Sequence, residues 1–192
     1  MSPRSKEQIE EIRSQSIAKI LDAAFRLMSR NGYDSTSISQ IAKEAGVSKG
    51  LMYNYFNSKE DLIKQLINNT MEEGDRLMTS IVSENPSETL RNIFKWFFNE
   101  LRNHIEQWRF ISEFMFKVDK FEFVKDLVCN KMKEYVDFIG SLLNEIGFEN
   151  AREEAQLITG LFDGIGFQYL VIGKEYPLDE MEKYLIEKYC SK

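Results

Sequence analysis

The feature that most constrains this chain is a series of helix-start signals that recur about ten residues apart. Ser37 followed by Gln40 has the spacing of a capping box, and it predicts a short helix, SQIAKEA. Gly46 ends this helix after only two turns, because glycine lets a chain reverse without the steric cost of a Cβ atom. Ser48 can then cap a second helix directly afterwards. These signals predict two short helices that are joined by a tight turn.

The segment that follows extends this pattern. The second short helix, KGLMYNYF, is followed by Ser58 and Asp61, another capping pair, which predicts the start of a long helix. Two short helices that share a small core across a tight turn form the pattern of a helix-turn-helix. The residues predicted to form that shared core are Ile41, Ala42, Ala45, Val47, Met52 and Phe56.

The remainder of the chain also has helical periodicity. The sequence has only 3 Pro and 10 Gly, which leaves few enforced turns, and we find no convincing strand, repeat or low-complexity tract. Asn85 followed by Pro86 and Glu88 has the chemistry of a helix start. The predicted fold class is therefore all-α, with about nine helices. Outside the helix-turn-helix they cover residues 7–31, 59–83, 86–104, 107–117, 121–146, 151–173 and 177–190.

Composition limits the possible functions. The 192 residues are 43% hydrophobic, which is enough for a sizeable core. Two cysteines, Cys129 and Cys190, without a CxxC pair, together with a single histidine, give no metal constellation, so we expect inert thiols and no metal or cofactor. The sequence has no nucleophile motif, and we predict no catalytic residue and no enzyme activity.

Charge is distributed unevenly along the chain. The net charge is −6, but residues 1–60 hold 9 basic and 7 acidic residues, whereas the rest holds 16 and 24. A mildly basic first third joined to an acidic remainder suggests two functions in one chain. The N-terminus lacks the apolar core of a signal peptide, and no apolar run approaches the roughly 18 residues of a membrane span. We therefore expect a cytoplasmic protein without membrane contact.

The segment GYDSTSISQIAKEAGVSKGLMYNYFNSKEDLI, residues 32–63, resembles the DNA-binding signature of the TetR family of bacterial transcriptional regulators. The matching elements include Ala45-Gly46-Val47-Ser48, Tyr53-x-Tyr55-Phe56 and Lys59-Glu60-x-Leu62. The resemblance implies a three-helix DNA-binding domain, residues 1–57, followed by a larger helical domain, residues 58–192, for ligand binding and dimerisation.

In a helix-turn-helix the second helix enters the major groove and reads bases with its N-terminal residues, which here are Lys49, Gly50 and Leu51. The resemblance assigns further side chains to the phosphate backbone, a role that hydroxyls and helix N-termini can fill. Arg4 and Lys6 could follow the backbone as well. The complete set of predicted DNA contacts is Thr36, Ser37, Ser39, Ser48, Lys49, Gly50, Leu51, Tyr53, Tyr55 and Lys59.

One such domain makes few contacts, so a palindromic operator would be read by a homodimer whose recognition helices lie about 34–36 Å apart. The last two helices are the predicted interface, because Gly160, Gly164 and Gly166 on one helix allow close packing. A phosphate-binding reading of GLFDGIG fails, since no strand precedes it and no GK[ST] follows. The predicted interface residues are Leu157, Gly160, Leu161, Gly164, Phe167 and Leu170.

Aromatic residues are concentrated between positions 94 and 138. At helical spacing most of them are expected to be core, but the excess, together with the family resemblance, implies an apolar cavity for a hydrophobic small-molecule effector. Binding would release a repressor from DNA. The alternative is a regulator without an inducer, controlled by a protein partner or by its expression level. The predicted cavity residues are Trp96, Phe97, Phe110, Phe114, Tyr135 and Phe162.

Overall fold

The structure, a computed structural model, describes residues 5–191, so Arg4 lies outside the described part. The described residues form nine α-helices and one 3₁₀ turn and contain no strand, which confirms the predicted all-α fold. Each predicted helix is present, with ends within a few residues of those expected. The helices are α1 Lys6–Asn31, α2 Ile38–Glu44, α3 Lys49–Tyr55, α4 Lys59–Ser80, α5 Pro86–Asn103, α6 Ile105–Met115, α7 Glu122–Ile146, α8 Ala151–Ile172 and α9 Leu178–Cys190.

The chain divides into two compact units between Met71 and Glu72, inside α4. The sequence places the domain boundary earlier, between residues 57 and 58, where α4 was expected to begin. The difference has a physical reason, because the first half of α4 belongs to the core of the first unit. Its four buried residues are Leu62, Ile63, Leu66 and Ile67.

The first unit is built on the second half of α1. Ile20, Ala23 and Ala24 are fully buried, and α1 packs on α2, which packs on α3. The apolar period of α1 continues towards its N-terminus, but Ile9 and Ile12 are exposed, with 55% and 42% of their surface accessible. The N-terminal turns of α1 therefore extend beyond the packed part of this unit.

The turn chemistry of the first unit is the chemistry that the sequence predicts. The Ser37 hydroxyl accepts a hydrogen bond from the backbone N–H of Gln40 at 3.3 Å, and Gln40 Oε1 accepts one from the backbone N–H of Ser37 at 2.7 Å. Gly46 has φ +67°, a left-handed conformation that costs other residues roughly 1–2 kcal/mol. The Ser48 hydroxyl accepts from the Leu51 amide at 3.1 Å and so starts α3.

In the second unit α5 is the central helix, as its wide apolar arc predicts. It packs against α6, α7, α8 and α9, while α7 lies along α8. The Asn85 side chain caps its start by accepting from the amides of Ser87 and Glu88 at 2.9 and 3.2 Å. Its seven buried residues are Thr89, Leu90, Ile93, Phe94, Phe97, Phe98 and Leu101.

The last helix, α9, is held in place by buried side chains and by hydrogen bonds to α5 and α8. The buried Tyr189 hydroxyl donates to Glu154 Oε2 on α8 at 2.8 Å. The Cys190 carbonyl accepts from Ser87 Oγ at 3.2 Å and from Arg91 Nη2 at 3.0 Å, both on α5. These bonds hold the end of the chain against the start of α5.

The segment Ala151–Glu175, which contains α8, is long and apolar enough to cross a membrane by length and composition. The expectation that no apolar run approaches that length is therefore wrong by this criterion. An apolar helix that packs in a protein core or against a partner meets the same criterion. Only 22% of the most apolar stretch of this segment is buried within the chain, so much of its apolar surface is exposed.

Candidate functional site

The N-terminus of α3 presents an exposed polar surface. Ser48, Lys49 and Gly50 are all exposed, and Leu51 is half-buried. A Cβ atom placed on Gly50 would meet only Ser48 Oγ, at 3.9 Å, so nothing inside the chain requires glycine at this position. An external partner could therefore contact the Lys49 ammonium group, the Ser48 hydroxyl and the exposed backbone at Gly50.

The two faces of α3 differ sharply in burial. Met52 and Phe56 are 1% and 2% exposed and hold the helix onto the first unit. Tyr53 is 52% exposed, and Tyr55 is half-buried. The structure thus places the predicted contact residues Lys49, Gly50 and Tyr53 on the outer side of the helix.

The predicted DNA contacts that precede α3 differ in exposure. Ser37 and Ser39 are exposed, although the Ser37 hydroxyl also caps α2. Thr36 is only 2% exposed, and its hydroxyl donates to the Gly32 carbonyl at 2.9 Å. We therefore correct the prediction that Thr36 reaches a phosphate directly: its side chain orders the loop ahead of α2.

Lys59, at the start of α4, is turned towards the protein. Its ammonium group donates to the Tyr33 carbonyl and lies 3.9 Å from the centroid of the Tyr33 ring. The prediction places Lys59 against a phosphate. In the described structure the same group joins α4 to the loop that precedes α2, so a phosphate would have to share it with Tyr33.

The second unit contains an aromatic stack between α5 and α8. The rings of Phe97 and Phe162 are stacked, with centroids 4.2 Å apart and an interplanar angle of 18°. Phe94 meets Phe162 edge-on at 5.7 Å, and Trp108 of α6 meets Phe97 edge-on at 5.7 Å. Two predicted cavity residues, Phe97 and Phe162, are therefore direct neighbours.

A second aromatic row runs along α6 to the start of α7. Phe110 and Phe114 have ring centroids 5.1 Å apart, and Phe114 lies 5.6 Å from Phe121. All three are almost fully buried. Two further predicted cavity residues, Phe110 and Phe114, are therefore neighbours in this row.

The two remaining predicted cavity residues, Trp96 and Tyr135, each carry a polar atom on an aromatic ring. Trp96 Nε1 is buried and meets no hydrogen-bond partner among the described residues, and the same holds for Trp108 Nε1. Burial raises the pKa of the Tyr135 hydroxyl, and the Asp75 carboxylate raises it further. Asp75 itself accepts from Lys131 Nζ at 2.6 Å, which joins the second half of α4 to α7.

The outer side of α8 is apolar and open. Leu157 and Leu161 are 60% and 39% exposed, and Val171 is 84% exposed. Gly160 and Gly164 lie on the same side, and a Cβ atom on either would meet nothing within 4 Å in the single chain. A second helix could therefore approach this side closely.

Three other residues of α8, Gly166, Phe167 and Leu170, lie away from the centre of that outer side. Gly166 is buried against Trp108, so its expected grouping with Gly160 and Gly164 is corrected. Phe167 is half-buried and contacts Phe116, with ring centroids 5.1 Å apart, and Leu170 is half-buried. Phe167 and Leu170 lie at the flank of the open surface rather than at its centre.

Comparison with known proteins identifies this arrangement. The sequence profile described as "Bacterial regulatory proteins, tetR family" matches residues 20–66, which span α2, α3 and the adjoining parts of α1 and α4. Residues 20–66 therefore belong to the TetR family of bacterial regulatory proteins. The chain's relatives are similar both in this segment and in fold.

One relative is the HTH-type transcriptional regulator TtgR of Pseudomonas putida, 35% identical over 104 residues, which are 53% of this chain and 48% of that protein. The chain thus spans about half the length of this relative. The fatty acid metabolism regulator protein of Bacillus subtilis is 24% identical over 179 residues, 88% of this chain and 91% of that protein. The solved structure of FadR from Bacillus subtilis, in complex with stearoyl-CoA, is 24% identical, has a TM-score of 0.68 and covers 91% of this chain and 97% of its own.

Two side chains of the second unit, Trp108 and Asp163, were not singled out from the sequence. Trp108 contacts Phe97 and Gly166, and Asp163 is half-buried, with a carboxyl pKa that burial raises. Asp163 lies next to Phe162 in sequence, but no sequence pattern singles out Trp108 or Asp163, so only tertiary structure places these two residues at this site. Within residues 5–191, no group of three or more His, Cys, Asp and Glu side chains is arranged to hold a metal ion.

Proposed function

We propose that this chain is a dimeric transcriptional regulator that binds a palindromic DNA operator and is released from it by a hydrophobic ligand. The observation that carries the proposal is the division of α3 into two faces. Met52 and Phe56 fix the helix to the first unit, while Lys49 and Gly50 stand exposed at its N-terminus. A helix held in this way can enter a major groove with its N-terminal residues foremost.

The exposed residues have the chemistry for reading DNA. The Lys49 ammonium can donate to guanine O6 and N7 or to a phosphate, and the Leu51 side chain can contact a thymine methyl group. Gly50 lets the helix backbone come close to the bases. The hydroxyls of Ser48 and Tyr53 can donate to phosphate oxygens.

The net charge of −6 is compatible with this function. Charges separated by more than about 8–10 Å are largely screened at physiological salt, so the local charge at the footprint decides affinity. Most of the acidic excess lies beyond residue 60. It would weaken non-specific DNA binding and so favour discrimination between sequences.

The open side of α8 supports the homodimer. Leu157 and Leu161 would lose water contact against a second copy, and Gly160 and Gly164 would allow the two helices to approach closely. Because like surfaces would meet around a two-fold axis, two recognition helices would be presented to the two halves of a palindrome. A DNA-binding dimer of this kind would act in the cytoplasm and would not be an enzyme.

The aromatic core of the second unit supports a hydrophobic effector. Phe97, Phe162 and Trp108 would supply apolar walls to a ligand cavity, and the unpartnered indole N–H of Trp108 would be satisfied by a hydrogen-bond acceptor on the ligand. Two of the comparisons point to a class of ligand. The Bacillus subtilis relative is named for fatty acid metabolism, and the FadR structure contains stearoyl-CoA. We therefore propose a long-chain fatty acyl compound as the effector.

Release from DNA requires a ligand that binds one conformation better than the other, with a typical coupling of about 1–3 kcal/mol. The Lys131–Asp75 ion pair is placed to take part, because it holds the part of α4 that belongs to the second unit against α7. A ligand that moves α7 would then act on α4 as well. Repression, rather than activation, is the mode that this mechanism predicts.

The test is fluorescence anisotropy with labelled promoter fragments, including the promoter of the chain's own gene, followed by addition of stearoyl-CoA. The proposal predicts binding of a palindromic fragment and its release by the acyl compound, with coenzyme A alone as the control. Binding that no lipophilic compound reverses would favour a regulator without an inducer. Failure to bind any fragment would contradict the proposed function.

A further inference from the structure

One contact joins α1 to the C-terminal end of α3. The guanidinium carbon of Arg13 lies 6.0 Å from the centroid of the Tyr55 ring, over its face. Tyr55 is the last residue of α3 and is half-buried. This contact brings a positive charge from α1 to the edge of the surface that carries the predicted DNA contacts.

The position of Arg13 on α1 explains why it reaches α3. Ile20 follows Arg13 by seven residues and Ala24 by eleven, spacings that place all three on one side of the helix. Ile20 and Ala24 are fully buried in the first unit. Arg13 therefore lies on the inward side of α1, at the point where the helix extends beyond the packed part, and its side chain is available to the end of α3.

The acidic partner of Arg13 holds it weakly. Glu10 Oε2 lies 4.0 Å from Arg13 Nη1, one turn earlier on the same helix, and both side chains are more than half exposed. Exposed pairs of this kind contribute little, because solvent screens the charges and two long side chains must be ordered. Arg26, further along α1, is held more closely, with Asp22 at 2.6 Å and Glu44 at 3.8 Å. A phosphate could therefore replace Glu10 at Arg13 at little cost.

We propose that Arg13 is a DNA-backbone contact, which stacks on the Tyr55 ring and donates to the phosphate group that the Tyr55 hydroxyl also contacts. The inference rests on the proposed DNA-binding function. Stacking and phosphate binding are compatible in one side chain, because the planar guanidinium stacks through its face and donates through the N–H groups at its edge. The ring also orders the side chain in advance, which lowers the entropy lost on binding.

Arg13 would complete the positive footprint of an acidic protein. Lys49 is the first residue of α3, and Tyr55, whose ring Arg13 contacts, is the last. The basic groups of Lys49 and Arg13 therefore lie near opposite ends of a helix of seven residues, about 10 Å long. With Lys59 engaged by the Tyr33 carbonyl, the C-terminal end of α3 would otherwise depend on tyrosine hydroxyls for its phosphate contact. Arg13 supplies the charge that those hydroxyls lack.

The experiment measures operator binding of Arg13→Gln by fluorescence anisotropy, from about 50 to about 200 mM salt. Glutamine keeps the helix propensity and removes the charge. Loss of one phosphate contact per protomer lowers the slope of log K against log salt by about 0.9, so the dimer should lose about 1.8. Affinity should fall about tenfold or more per protomer, as expected for a hydrogen bond to a charged group. Arg13→Lys should keep the slope and bind less tightly than wild type, because it lacks the planar fork.

Arg26→Gln is the matched control, since it removes the same charge from the same helix away from Tyr55, and its slope should equal that of wild type. Tyr55→Phe combined with Arg13→Gln should lose less affinity than the two single changes together, because both groups contact one phosphate. An unchanged slope for Arg13→Gln, or an equal loss in Arg26→Gln, would overturn this inference while leaving the proposed function intact. Wild-type protein that binds no DNA would refute both.

Discussion

The indole of Trp108 occupies the space that a side chain at position 166 would need. A Cβ atom placed on Gly166 would lie 2.2 Å from Trp108 Cε2 and 2.4 Å from Nε1. Such contacts do not occur between real atoms, so α6 and α8 can pack in this way only because residue 166 is glycine. The same tryptophan meets Phe97 edge-on, which connects the α6–α8 contact to the aromatic stack of the second unit.

Gly166→Ala should therefore destabilise the second unit. Overpacking typically costs about 1–3 kcal/mol, and the rigid indole cannot yield easily, so we expect a loss of about 3 kcal/mol and a fall in Tm of about 10 °C. Gly74→Ala is the control, because a Cβ atom there meets nothing within 4 Å and alanine favours the helix by up to about 1 kcal/mol. Thermal and urea unfolding of the two variants measure the difference. Equal stability of Gly166→Ala and wild type would show that α6 and α8 can separate enough to accommodate a Cβ atom beside Trp108.

Gly50→Ala should have the opposite pattern, with stability kept and DNA binding lost. The nearest atom to an added Cβ is Ser48 Oγ at 3.9 Å, so the chain itself accommodates alanine, and its Tm should equal or exceed that of wild type. If the backbone at Gly50 approaches the bases, the methyl group should weaken operator binding about tenfold or more. Anisotropy titrations at fixed salt test this. Wild-type affinity in a fully folded Gly50→Ala variant would mean that DNA does not come close to Gly50.

Much of the fold follows from local sequence signals. The caps at Ser37, Ser48 and Asn85 each bond as their spacing predicts, and Gly46 adopts the positive φ that its turn requires. These features depend on neighbours within a few residues, and sequence patterns therefore report them. The boundary inside α4 was not predictable in the same way, because it depends on which core each turn of one continuous helix joins.

The candidate sites were predictable to a smaller extent. Exposure of Lys49 and burial of Met52 follow from helical periodicity, but the burial of Thr36 and the turn of Lys59 towards Tyr33 depend on contacts between separate segments. The Gly166–Trp108 contact likewise joins residues far apart in sequence. The sequence of α8 shows that the helix is rich in glycine. Only the tertiary structure shows that Gly160 and Gly164 are open to solvent whereas Gly166 packs against Trp108.

The open side of α8 predicts how dimerisation can be blocked. Leu157→Glu combined with Leu161→Glu would place two carboxylates in the proposed interface, where an unpaired charge is costly. We expect monomers by sedimentation velocity, with unchanged helix content by circular dichroism. Val82→Glu, which alters an apolar residue of similar exposure outside α8, should remain dimeric. A Leu157→Glu/Leu161→Glu protein that stays dimeric would place the interface elsewhere.

The two cysteines should differ strongly in reactivity. Cys129 is exposed, whereas Cys190 is buried, and burial raises the pKa of its thiol to about 11. At pH 8 a thiol reagent should modify Cys129 quickly and Cys190 only after unfolding, and Cys129→Ser should abolish the fast phase. Rapid modification of both thiols in the folded protein would contradict the burial of Cys190.

The same thiol affects stability at high pH. The pKa of Cys190 is higher in the folded chain than in the unfolded chain, where a thiol titrates near 8.5. Above that pH the unfolded chain binds fewer protons than the folded one, so the free energy of unfolding should fall as pH rises from about 9 to about 11. In Cys190→Ser this part of the decline should be absent, which urea titrations at several pH values can measure.

The most direct test of the account is the stoichiometry and salt dependence of wild-type binding to an operator fragment selected from random DNA. The account predicts a palindromic sequence bound by two chains, with half-sites about one turn of DNA apart and an affinity that falls linearly in log K against log salt. A single chain bound per site, a selected sequence without two-fold symmetry, or an affinity independent of salt would contradict it.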